Sequence, residues 1–510
     1  MGSTPLSLPG RFGMCPYNSQ PNLAVAGYYS RLFPPPHNPL LAQDEERLIQ
    51  LGRAMRYSIE REGTLTPRVG YTYFGQIVGH DLSHDTTPLD GPYPSPEQTP
   101  NYRTPFLNLD QIYGGGPMAS PELYEGAPGA EVFKIGRTLG HGYLRDLPLG
   151  HGDVLIADRR NLDNLIVRQL HVLFLKFHNA AVEQLDRQVP SVQGIENLGP
   201  GTVFERARRL VRWHYQWIVR HDFLPRVLDA KVWTYPSTSD SPSRKEDSNS
   251  IPVEFSLAAY RFGHSMVRNA YGLNCRKKRV ELAELMALGH LSTPVPDDYV
   301  IEWGRFFDGL PASGPVASSS YIDTSIAGPM HDLSAPILRL CNQTDLSTNR
   351  ADLPVRTLLR GARAQLPSGQ EAAAALLKQG KIGASDSLTE AQLTTDTCDR
   401  SGTVLRETGL HGNTPLFYYL LKEAELIGLG RTLGPVGSQI VLGVIRRVLR
   451  HDPNSYQSVA GRDWNLPLWR FPNGTSKQVN SLIRIIQLVG DTEFLPGCKD
   501  RSRELMAHLL

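Results

Sequence analysis

The chain has 510 residues, 40% of them hydrophobic and 20% charged, which gives it enough apolar material for a large soluble core. Its 53 basic residues nearly cancel its 51 acidic ones, and the net charge of +2 offers no bulk electrostatic route to nucleic acid or to an anionic membrane surface. No run of about 18 apolar residues is available to span a bilayer.

Residues 1–40 are rich in Pro, Gly and Asn and read as an extended N-terminal arm. The N-terminal MGSTPLSLPGRFG lacks the basic start and apolar run of a signal peptide. Leu6 stands where a myristoylation signal needs Ser or Thr. The five cysteines, Cys15, Cys275, Cys341, Cys398 and Cys498, are scattered and never form a CxxC pair. That pattern argues against a disulfide scaffold and points to a reducing compartment. The expectation is a protein that is cytoplasmic, or exported without a recognisable signal.

The first helix is expected over 41–61, where Leu48, Leu51, Met55 and Ile59 recur at helical spacing. A second, over 71–83, contains FGQIVGHDLSHD. Residues 84–155 are broken by Pro and Gly and read as long loops. NLIVRQLHVLFLKFHNAAVEQLD (164–186) is apolar on more than one face and predicts a central helix. Another spans 203–225, stopped by Pro225. The polar stretch 237–250 reads as an exposed loop. Helices follow at 252–270, 279–288, 371–380, 388–397, 415–428, 435–450, 475–489 and 500–509. The fold class is mainly α, with a single large domain over 41–510, long loops and few short strands.

His80 and His84 lie four apart with Asp81 beside the first, close to a zinc-protease signature. However, the base of that signature is glutamate, and Thr86, Thr87 and Pro88 end the helix at once. His84 reads as a solvated helix-end residue. Three other stretches carry candidate chemistry: His264 between Arg261 and Arg268; Arg159, Arg160 and Asp163 ahead of the central helix; and Arg356, Arg360 and Arg363 in a Pro-bounded segment. A haem needs an axial histidine and cations for its propionates. Peroxide chemistry adds a base and a positive group above the iron.

FGQIVGHD, RTPFLNLDQIYG, RNLDN with LHVLFLKFHN, AAYRFGHSM and TPLFYYLLKEAELIGLGRTLGPVGSQIV occur in the order found in the animal-type haem peroxidases of the peroxidase–cyclooxygenase superfamily. The chain resembles that family, its bacterial and fungal branch most, from about residue 65 to 490. The resemblance implies a haem peroxidase, an oxidoreductase with haem b and bound calcium and a place in the response to oxidative stress. It would reduce H2O2 and oxidise small phenol-like or halide donors through a ferryl haem. It implies His80 as distal base, Arg160 as distal arginine and Gln76 as distal glutamine. His264 would be the iron ligand, with Arg261 and Arg360 on the propionates. Calcium would take Asp81, Thr104, the Phe106 carbonyl, Asn108 and Asp110, which are oxygen donors suited to a hard cation.

The chain departs from the family pattern at four positions. Gly79 stands where ester-linked relatives carry an aspartate. Asp163 replaces the usual glutamate at the second ester position, so haem is held non-covalently or by at most one ester. Thr357 replaces the asparagine that hydrogen-bonds the ligand histidine, and Asn108 replaces a calcium-binding aspartate. Two alternatives follow: a haem fatty-acid dioxygenase, although no cyclooxygenase-type tyrosine segment is found and Tyr418 and Tyr419 read as core, and a haem-binding protein with little turnover.

Overall fold

Leu165–Leu185 is the longest helix among the described residues, and the rest of the fold is arranged around it. These observations come from a computed structural model that describes residues 25–40, 42–57, 62–89, 94–186, 194–234, 250–334, 337–338 and 351–499. The first 24 residues of the expected arm, the polar stretch 237–249, Ile59 and the expected helix at 500–509 lie outside them. The Asn164 side chain caps the central helix by accepting from the Val167 N–H at 3.0 Å. Its apolar faces pack against helices Val69–Leu82, Val203–Ile218 and Leu282–Gly289. Phe74, Phe174, Tyr215 and Phe223 interlock there, with ring centroids 5.6 to 6.2 Å apart.

The helix expected at 203–225 begins with a capping box, Thr202 and Glu205. It does not stop at Pro225. It passes through a π turn, Val219–Phe223, into Leu224–Val227. Pro225 sits in the first turn of that last piece, where a missing N–H is tolerated. The π turn sets Phe223 against Phe74 and beside the cavity described below.

Other elements differ from expectation for local reasons. The single helix expected at 252–270 is a short α segment, Val253–Leu257, then a 3-10 run, Ala259–His264. Ala258, with φ −134° and ψ −72°, breaks the α geometry between them. The Pro-bounded segment near 352–369 contains a helix, Leu353–Arg363, capped by Asp352 and admitting Pro354 in its first turn. Residues 388–397 hold one turn, Glu390–Leu393. Residues 475–489 split into a strand, Ser476–Gln478, and a helix, Leu482–Leu488.

The described strands form five antiparallel pairs of two or three residues each. One of them, Gly27–Tyr28 with Pro100–Asn101, ties residues 25–40 to the domain. Tyr29 and Phe33 in that stretch are buried, and the Glu254 carboxylate accepts from the Leu32 and Phe33 N–H groups. No described helix is long and apolar enough to cross a membrane. Tyr418 and Tyr419 are fully buried core residues, as read from the sequence.

Cys275 and Cys498 form a disulfide, with Cα atoms 5.6 Å apart and a sequence separation of 223. The scattered cysteine spacing did not foresee this bridge. Spacing cannot reveal a bridge whose partners meet only after the chain has folded.

Candidate active site

The helix Val69–Leu82 ends where Ser83 turns extended, and its last turns open onto a cavity of about 290 Å³. Gln76, Gly79 and His80 reach the cavity from this helix. Arg160 and Asp163 reach it from the turn ahead of the central helix. Arg261 and His264 line it from the 3-10 run, and Thr357 and Arg360 from the helix Leu353–Arg363. The side chains singled out for catalysis and haem binding, from four separate segments, thus share one enclosure.

His80 is held by Asn161, whose Oδ1 lies 2.8 Å from the ring Nδ1. Burial, reinforced by the Arg160 charge, lowers the His80 pKa to about 4, so the ring is neutral near pH 7. Arg160 is heavily engaged. Its Nη1 donates to the Ser83 carbonyl at 2.7 Å, its Nη2 to the His80 carbonyl at 2.6 Å, and its Nε and Nη2 to Asp158. It therefore closes the C-terminal end of the His80 helix as well as lining the cavity. Burial disfavours the Asp158 charge, but Arg160 and Arg103 outweigh it and hold this carboxyl well below its ordinary range. Gln76 donates from Nε2 to Asp163 at 2.7 Å, and burial raises the Asp163 pKa.

His264 is half-buried, and its Nδ1 is buried without a hydrogen-bond partner. Burial first, and Arg261 second, lower its pKa to about 3. A neutral imidazole in an enclosed cavity is the form that ligates iron. The Thr357 hydroxyl donates to the Leu353 carbonyl at 2.9 Å, within its own helix, so it is engaged away from the histidine. Arg261 donates to the Ser256 carbonyl, and Arg360 to Asp85 and the Thr87 carbonyl. The enclosure, the neutral His264 and the nearby arginines fit a haem with its two carboxylates.

Four of the residues expected to bind calcium, Asp81, Thr104, Asn108 and Asp110, lie close together at the end of the His80 helix. Asp110 Oδ2 accepts from Thr104 and Asn108 at 3.0 and 2.8 Å, and Asp81 Oδ2 accepts from the Leu109 N–H. Asp81 Oδ1 is buried without a partner. Burial, then the neighbouring Asp110, pushes the Asp81 carboxyl up to about 7, against the lowering effects of the Leu109 N–H and the Arg103 charge. The Asn108 amide nitrogen faces this cluster, and Arg208 lies 3.3 Å from Asp110. Among the described residues no three His, Cys, Asp or Glu side chains converge as metal ligands. A cation here would therefore draw on hydroxyl, amide and backbone oxygens as well.

Residues 74–287 match the animal haem peroxidase family model. That segment, which carries His80, Arg160 and His264, is similar to the animal haem peroxidases. A peroxidase-like protein of Margaritifera margaritifera is 30% identical over 200 residues, covering 37% of this chain and 24% of that protein. The match thus spans about a quarter of that relative's length. The fold of the chain is shared with peroxidase A of Dictyostelium discoideum, at a TM-score of 0.61, 13% identity and coverage of 93% and 96%. It is shared too with the fatty acid alpha-dioxygenase of Arabidopsis thaliana, at a TM-score of 0.56, 14% identity and coverage of 91% and 77%.

Three residues in or behind the cavity escaped the sequence reading. His84 is not solvated: it is buried and lines the cavity, with Nδ1 unpartnered and its ring against Tyr102. The extended conformation at Ser83 turns it inward, which helical periodicity cannot foresee. Tyr260, in the quoted AAYRFGHSM, carries a buried hydroxyl without a partner. A Cβ at Gly79 would sit 3.4 Å from its ring. Asn161, inside RNLDN, is the residue that grips His80.

Proposed function

We propose that this chain is a haem peroxidase that reduces H2O2 and oxidises small phenol-like donors, with halides as further candidates. The observation that carries the reading is the meeting of His80, Gln76 and Arg160 with His264, Arg261 and Arg360 in one cavity. Haem, when bound, supplies the redox chemistry that cleaves peroxide and withdraws single electrons from the donor. His264 holds the iron, and Arg261 and Arg360 neutralise the propionates. His80, neutral at working pH, takes a proton from the peroxide oxygen that binds and returns it to the oxygen that leaves. Arg160 supplies positive charge where negative charge develops. Gln76 orders the cavity through Asp163. Gly79 offers no carboxylate for a haem ester, so at most Asp163 forms one. Asp81, Thr104, Asn108, Asp110 and the Phe106 carbonyl hold a calcium ion beside the His80 helix. The Cys275–Cys498 disulfide supports an oxidising compartment for the protein.

Steady-state oxidation of a phenolic dye by haem-loaded protein tests this. His80→Leu should lower turnover by about 10²- to 10⁴-fold while haem stays bound. A haem-loaded wild type that consumes no peroxide would leave only a haem-binding protein. A second reading, oxygenation of a fatty acid, is favoured by Tyr260, an unpartnered phenol in the same cavity. Oxygen uptake with linoleate in the absence of peroxide would select it.

A further inference from the structure

Gln111, in the turn Asp110–Tyr113, is fully buried, and its Nε2 donates to the Ile77 carbonyl at 2.9 Å. A backbone carbonyl only accepts, so this bond fixes which way the Gln111 amide points. Its Oε1 therefore faces Asn161, which must answer with Nδ2, 2.5 Å away. The same Nδ2 lies 3.0 Å from Nδ1 of the buried His171. Only Oδ1 of Asn161 is left for His80, whose Nδ1 is 2.8 Å from it. An amide oxygen accepts, so Nδ1 of His80 must carry the hydrogen. In a neutral ring the lone pair then belongs to Nε2.

We infer that Asn161 is a positioning residue, locking His80 in the Nδ1–H tautomer so that Nε2 is the nitrogen that accepts a proton in the cavity. Neutral imidazole free in water prefers the opposite form, with hydrogen on Nε2. The chain overrides that preference through four groups in series: the Ile77 carbonyl, the Gln111 amide, the Asn161 amide and the His80 ring. All three side chains come from different segments: Gln111 from the turn after the candidate cation loop, Asn161 from the turn ahead of the central helix, and His80 from its own helix. The inference rests on the peroxidase reading only for what the proton comes from. The tautomer itself does not depend on it.

The test is the ¹⁵N spectrum of the histidine-labelled full chain, with and without diamagnetic zinc protoporphyrin. The His80 signals are assigned by their loss in His80→Gln. Wild-type His80 should be Nδ1–H. Asn161→Ala should move it toward Nε2–H, and Gln111→Met, which frees the Asn161 amide to turn, should move it less in the same direction. In the ferric haem-loaded protein, cyanide association requires a base for the HCN proton. Asn161→Ala should slow it by about 10- to 100-fold. Wild-type His80 found as Nε2–H would overturn the inference, and so would an Asn161→Ala protein in which neither tautomer nor cyanide rate changes. If Asn161→Ala does not fold, the wild-type tautomer and the Gln111→Met comparison still decide. A chain that takes up no haem would defeat the peroxidase reading and leave the tautomer readable without porphyrin.

Discussion

Arg160 shows how one side chain can hold a site together while serving it. Its guanidinium spans the Ser83 carbonyl, the His80 carbonyl and the Asp158 carboxylate, a fork that the point charge of lysine cannot match. Arg160→Lys is expected to keep the net charge yet lower peroxide turnover by about 10²- to 10³-fold, as loss of a transition-state donor does. Stopped-flow consumption of H2O2 measures this, and a rate within threefold of wild type, roughly the scatter of such effects, would remove Arg160 from the mechanism. At this scale the sequence was partly legible. His80, His264 and Arg160 stand in quoted motifs, and the structure brings them to one cavity. Thr357 was read as a stand-in hydrogen-bond partner for His264, but its hydroxyl takes the carbonyl one helical turn back. That local competition has no signature in spacing. His84 was misread because its burial depends on where the helix stops.

At the scale of elements, the His80 helix is seated by a close approach. A Cβ added at Gly70 would lie 2.1 Å from the Phe307 ring, and Phe307 is fully buried in the core. Gly70→Ala should therefore cost about 1 to 3 kcal/mol through overpacking. Urea denaturation would report it as a lower midpoint, and an unchanged midpoint would show that Phe307 moves freely. The helices that were legible are those whose apolar residues face a neighbour over several turns. Leu165–Leu185 and Pro435–His451 fall within two residues of their expected bounds. The segment 252–270 misled because Phe255, Tyr260 and Phe262 are buried or packed on the core just as a helix would place them. The irregular turn at Ala258 produces that burial with 3-10 geometry instead. It also sets His264 at the end of a short, tight run, and not within a long helix.

The whole molecule carries two further consequences. The Cys275–Cys498 bridge closes a loop of 223 residues and should stabilise the chain by about 2 to 4 kcal/mol. Cys275→Ser should lower the midpoint of thermal unfolding, and an unchanged midpoint with Cys275 and Cys498 both found as free thiols in the wild type would contradict the bridge. Acid should weaken the fold as well. Burial lowers His171 and His178 to about 3 and His214 to about 4, from 6.5. The unfolded chain binds these protons more readily, so the contribution is intact above about pH 6.5 and is lost as pH falls toward 4 and 3. Raised carboxylates work the other way: Glu423, pushed up to about 8 by burial, adds stability as pH falls through that value. Among the described residues they number four against eight lowered imidazoles. The melting temperature should thus be lower at pH 5 than at pH 7, and a flat or rising profile would refute this balance. The central claim is that the cavity between His80 and His264 holds a peroxide-reactive haem. The absorption spectrum of the haem-loaded protein, before and after H2O2, tests it most directly. The account predicts a Soret band that shifts on adding peroxide and that His264→Ala abolishes or displaces. A band that ignores both peroxide and the loss of His264 would contradict it.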